Sequence, residues 1–91
     1  MMHKYLVTFE NLSDDDNNEL SVAIRGKLED NSGRWLQIFP NQIAIKTDAS
    51  LKQLVKVLDP EINKTRMSIV EFSNAYSNEA RSKSLLTDFG L

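Results

Sequence analysis

The 91-residue chain contains no cysteine, one histidine, two prolines, three glycines and no long apolar run. Without cysteine there is neither a disulfide framework nor a thiolate zinc site, a composition that suits a reducing cytoplasm. A single histidine, His3, sits beside the N-terminus, where a mobile end is expected, so the chain is poorly equipped for a Ser-His or Cys-His nucleophile. Glycine is too scarce for a phosphate-cradling loop, and no nucleophile elbow is present. No apolar stretch approaches the roughly 20 residues that span a bilayer. Met1-Met2-His3-Lys4 leads directly into a strand pattern without the apolar core of a secretory leader, so no membrane association and a cytoplasmic location are expected. Strong net charge is missing as well. The formal value is −2, with residues 1–30 at −4 and the remainder at +2. Neither part has the plainly basic balance of a nucleic-acid-condensing domain.

What is present is a regular alternation of hydrophobic periods on a scale that fits one domain. Lys4-Tyr5-Leu6-Val7-Thr8-Phe9 is a β-prone run ending on Glu10. Asp14-Asp15-Asp16-Asn17-Asn18 then reads as a helix start, because short polar side chains cap orphan N–H groups and carboxylates favour the positive end of the helix dipole. Leu20, Ala23, Ile24 and Leu28 follow at helical spacing, with Gly26 weakening the helix by up to about 1 kcal/mol relative to alanine. Asp30 to Gly33 reads as a loop. Trp35 to Phe39 and Ile43 to Thr47 are strand-like, split at Pro40-Asn41-Gln42. Ser50 and Gln53 have the spacing of a capping box, Leu51, Leu54, Val55 and Leu58 fill one helical face, and Pro60 stops the run. Ile62 tucks down the exit loop, and Met67 to Phe72 forms a last strand.

The order β-α-β-β-α-β predicts an α+β ferredoxin-like plait over residues 1–73, with a four-stranded antiparallel sheet and two helices on one face. The strands carry large apolar residues on both sides: Leu6, Leu36, Ile38, Val70 and Phe72 alternate with Tyr5, Val7, Phe9, Trp35, Phe39, Met67 and Ile69. An apolar second face calls for a cover, and a homodimer across it is the expectation, with the C-terminal tail of residues 74–91 as the alternative cover. Within that tail, Glu79 to Phe89 has the pattern of a short helix or a partner-docking segment.

Candidate chemistry is sparse. A carboxylate at the tip of a central strand can hold a divalent metal, which singles out Glu10 as catalytic and metal-binding candidate. Asp14, Asp15 and Asp16 are accounted for by capping and do not have calcium-loop spacing. Arg34 and Lys46 are the candidate phosphate contacts. Tyr5, Phe9, Trp35 and Phe39 could stack nucleobases on an open sheet, but their strands lack the basic, glycine-rich signature of such modules, and packing is the better reading.

The run Ile45-Lys46-Thr47-Asp48-Ala49-Ser50-Leu51-Lys52-Gln53-Leu54, with Pro60 and Ser68-Ile69-Val70-Glu71-Phe72, resembles the second half of small stand-alone relatives of CRISPR-associated protein two, the SinR-family proteins. Tyr5 to Glu10 and Trp35 to Pro40 resemble the first half. Virulence-associated protein D, a ribonuclease toxin, is a more distant relative in the same superfamily. The resemblance implies a homodimer of plaits, with either metal-dependent cleavage of RNA or DNA or a non-catalytic role in binding nucleic acid or protein. It also implies that the position of Glu10 is where the family carries an aspartate, contributed by both subunits to one Mg²⁺. Glutamate has the right donor atoms, but its extra methylene displaces them. Two readings therefore stand side by side: a non-catalytic binding module, and a Mg²⁺-dependent endonuclease or endoribonuclease using Glu10 from both subunits.

Overall fold

The computed structural model describes residues 2–10, 15 and 18–73. The elements are β1 (His3–Phe9), α1 (Glu19–Asp30), β2 (Arg34–Phe39), β3 (Gln42–Thr47), α2 (Leu51–Val57), a 3-10 turn (Glu61–Asn63) and β4 (Met67–Glu71). The sheet order is β2-β3-β1-β4, with every neighbouring pair antiparallel. This is the α+β arrangement of a ferredoxin-like plait, as the periodicities predict. The tail of residues 74–91, including the helical pattern from Glu79 to Phe89, lies outside the described residues, as do Asp14 and Asp16.

Alternation along the strands sorts side chains onto two faces. Tyr5, Val7 and Phe9 of β1 and Ile43 and Ile45 of β3 form the main core with Ile24 and Leu28 of α1 and with Leu54 and Leu58. Leu20, Ile62, Met67 and Ile69 close its margins. The helices are held at defined ends. Asn18 is the N-cap of α1, its side chain accepting from the Ser21 N–H at 3.0 Å. The capping box of α2 is complete: Ser50 Oγ accepts from the Gln53 N–H and Gln53 Oε1 from the Ser50 N–H. Buried Arg25 ties α1 to the β2–β3 hairpin by donating to the Pro40 carbonyl at 2.8 Å. Two residues further along α1, Lys27 Nζ donates to the Asp59 carbonyl at 3.0 Å and forms an ion pair with Glu61.

One sequence expectation needs correction. Leu51 and Val55 do not share the buried face of α2; they are exposed, while Leu54 and Leu58 are fully buried. At 3.6 residues per turn, the exposed pair is rotated by about 60° from the buried pair, which is enough to clear the sheet in so short a helix. On β2 the two faces differ in burial. Trp35, paired with Ile45 on the helix side, is 48% exposed, whereas Leu36 and Ile38 are 8% and 6% exposed. Leu36, Ile38 and Ala44 form a second apolar cluster with Leu6 and Phe72 packed against it. The second sheet face is thus apolar, as expected, and its centre is already buried within the single chain.

Gly26 lies inside α1, and a Cβ built there meets nothing within 4 Å. Gly26→Ala should therefore stabilise the fold by about 0.5–1 kcal/mol, read as a higher urea midpoint with an unchanged slope. The Glu61 carboxyl is held below its ordinary range, chiefly by the hydrogen bond from Lys27, then by a backbone N–H, with the Lys27 and Lys64 charges adding and burial opposing. A depressed carboxyl contributes stability above its unfolded value of 4.5 and loses it as pH falls through the folded value. Glu61→Gln should therefore unfold more easily than the parent chain at pH 7, and the difference should vanish as urea unfolding is repeated toward pH 3.

Candidate functional site

Glu10 follows the last residue of β1, and its backbone is held from two sides. The Phe9 N–H donates to the Asn41 carbonyl, and Asn41 Nδ2 donates back to the Phe9 carbonyl, both at 3.0 Å. Next in the chain, the Glu10 N–H donates to the Arg66 carbonyl at 2.8 Å, and Thr65 Oγ1 donates to the Glu10 carbonyl at 2.7 Å. The strand tip is therefore placed by both the β2–β3 turn and the approach to β4. Its side chain is half exposed and lies 3.7 Å from Arg66 Nε, whose own side chain is 93% exposed. Around them runs an open groove of about 350 Å³ lined by Thr8, Phe9, Glu10, Asn41, Arg66, Met67 and Ser68.

Magnesium takes near-octahedral oxygen ligation at about 2.0–2.1 Å, commonly one or two carboxylates completed by waters. One chain offers it a single carboxylate, already facing a guanidinium that would repel the cation. No group of three His, Asp or Glu residues capable of holding a metal occurs among the described residues. The metal centre that the family resemblance implies takes one carboxylate from each of two subunits, and within one chain that carboxylate is Glu10, facing Arg66. Asp15 is exposed, and its carbonyl accepts from Asn18 at the start of α1.

Arg34 and Lys46, by contrast, are brought together. They are direct cross-strand partners between β2 and β3, and Lys46 is in turn the direct partner of Lys4 on β1. Directly opposed residues share a face, so three cations stand side by side on the sheet surface that the helices do not cover. Lys4 Nζ donates to the Ser73 carbonyl at 3.1 Å. Lys4 is absent from the candidates drawn from sequence, because only the register between strands reveals its neighbours. From Lys4 to Glu10 is six residues along β1, about 20 Å at about 3.4 Å per residue. The carboxylate and the cations occupy opposite ends of the sheet.

A third cluster lies at the Lys4 end, on the helix side. His3 is not at a loose terminus; it is the first residue of β1, paired with Thr47. Its Nδ1 is 2.9 Å from Glu71 Oε2, and its ring stacks on Tyr5 with centroids 5.8 Å apart. Burial pushes the Tyr5 phenol above its ordinary range, with Glu71 adding in the same direction, and the phenol donates to the Ala49 carbonyl at 3.0 Å. Tyr5 is thus a satisfied core residue. Of the four candidate stacking aromatics, Tyr5 and Phe9 are buried, while Trp35 and Phe39 are 48% and 47% exposed on the outer strand.

Among the described residues, no helix is long and apolar enough to cross a membrane. Scanned against protein-family models and searched against curated proteins and solved structures, the chain has no match.

Proposed function

We propose that this chain is a homodimeric, non-catalytic nucleic-acid-binding module of the kind that its resemblance to CRISPR-associated protein two implies. The observation that carries this reading is the placement of Arg34 and Lys46 as direct neighbours on the sheet, with Glu10 at the far end facing Arg66. Hydrolysis of a phosphodiester needs the reacting carboxylate and the phosphate contacts to converge on one phosphorus. In this chain they diverge by about the length of β1. Binding to phosphate needs no such convergence, only exposed cations in a fixed array.

The dimer is supported by apolar side chains that a single chain leaves in solvent. Trp35 and Phe39 project from the outer strand β2, and tryptophan and phenylalanine are enriched in the cores of interfaces. A cytoplasmic setting belongs to the same reading and agrees with a sequence free of cysteine.

In sedimentation equilibrium the chain should behave as a dimer, and Trp35→Ser should shift it toward monomer. Labelled RNA and DNA should be retained in the presence of a chelator and remain uncut with Mg²⁺ or Mn²⁺. Metal-dependent cleavage that Glu10→Ala abolishes would overturn the non-catalytic reading in favour of a nuclease acting through paired Glu10 carboxylates.

A further inference from the structure

The three cations belong to a longer row. Tyr5 is the partner of Glu71, so the next residue outward on the β4 side, Phe72, stands opposite Lys4, and its N–H donates to the Lys4 carbonyl at 3.0 Å. Reading across the sheet from β4 to β2, one line of side chains is Phe72, Lys4, Lys46 and Arg34. Adjacent strands lie about 4.8 Å apart, so the three cations span about 10 Å. Like charges placed directly opposite one another on a sheet are unfavourable, and Lys4 and Lys46 form such a pair. Lys46 itself makes no side-chain hydrogen bond or ion pair to a described residue. A bound polyanion would convert that repulsion into attraction. The neighbouring line, Val70, Leu6, Ala44 and Leu36, is wholly apolar, with Val70 52% exposed at its β4 end beside Phe72.

We infer that the Phe72–Lys4–Lys46–Arg34 row is a track for a single nucleic-acid strand, crossing the sheet at right angles to the β-strands. It rests on the nucleic-acid-binding reading above and specifies the strand and its path. Phosphates follow the three cations, and a base at the β4 end lies on Phe72 and the exposed Val70. Aromatic surface beside a cationic line is the arrangement that holds single strands without choosing sequence, since every base has a flat face and every nucleotide a phosphate. A flat sheet face offers no helix or ribbon to enter a duplex groove. Its centre at Leu36, Ile38 and Ala44 is buried, and it is the β4 side, where Val70 is 52% exposed beside Phe72, that can accept an unstacked base.

The test is fluorescence anisotropy of end-labelled oligo(dT), oligo(rU) and the oligo(dT)·oligo(dA) duplex, titrated with the full chain in a chelator at a series of salt concentrations. Three phosphate contacts on a single strand predict a log–log salt slope of about −2, so raising salt from 50 to 200 mM weakens binding about 18-fold. Lys46→Ala reduces the slope to about −1.4 and that loss to about sevenfold, equally on oligo(dT) and oligo(rU). Arg34→Ala does the same, Phe72→Leu weakens binding without changing the slope, and Lys64→Ala, away from the row, leaves both unchanged. Far-UV circular dichroism confirms that each variant is folded. Single-strand binding with an unaltered slope in both Lys46→Ala and Arg34→Ala overturns the track and leaves the binding reading standing. Tighter binding of the duplex overturns the single-strand assignment, and binding to none of the three overturns the track together with the reading beneath it.

Discussion

Pairing of β1 on both of its edges, with β3 on one side and β4 on the other, is the constraint on which the rest depends. Because side chains alternate with a period of two, a one-residue slip in either ladder would send Tyr5, Val7 and Phe9 to the uncovered face and Lys4 and Leu6 beneath the helices. The helix side would then have to desolvate an ammonium, while the aromatic core residues would meet water. The register is therefore held by the hydrophobic pattern, and the polar groups on both faces take their places from it. Thr47 illustrates the coupling: buried beneath the helices, its hydroxyl donates to the Asn31 carbonyl and accepts from the Ala49 N–H, joining the end of α1 to the entry of α2.

The same register sets the electrostatics of the uncovered face. Charge balance over the whole chain is slightly negative, and neither part of the sequence is notably basic. Three cations separated by 30 and 12 residues in the chain become immediate neighbours only when β2, β3 and β1 are hydrogen-bonded in that order. A local field of this kind depends on topology, so net charge is a poor guide to it. At the other end of the sheet, Glu10 and Arg66 meet in the same way across the junction between β1 and β4, and their opposite charges largely cancel.

What could be read in advance follows the range of the interactions involved. Local signals served well: the Ser50–Gln53 capping box, the turn at Pro40, the end of the helix before Pro60 and the inward Ile62 are all written within a few residues. The element order came from periodicity, and the plait came from the order. Contacts set by tertiary placement were not legible. Lys27 and Glu61 are 34 residues apart and His3 and Glu71 are 68 apart, and nothing in either neighbourhood announces its partner. Leu51 and Val55 mislead for a related reason, since an apolar stripe shows which residues could be buried and not how wide a strip of sheet lies beneath the helix. Glu10 was correctly placed at a strand tip, but its neighbour Arg66, which changes its chemistry, arrives from 56 residues away.

The outer strand β2 carries tryptophan, leucine, isoleucine and phenylalanine within six residues, a composition that invites another strand to add along its edge. Its pairing with β3 is interrupted between Gln37 and Phe39, and Pro40 follows at once. A bulge twists the edge and spoils the regular spacing of its outward N–H and C=O groups, and proline removes a donor. An apolar edge strand is in this way a poor seed for open-ended fibril growth.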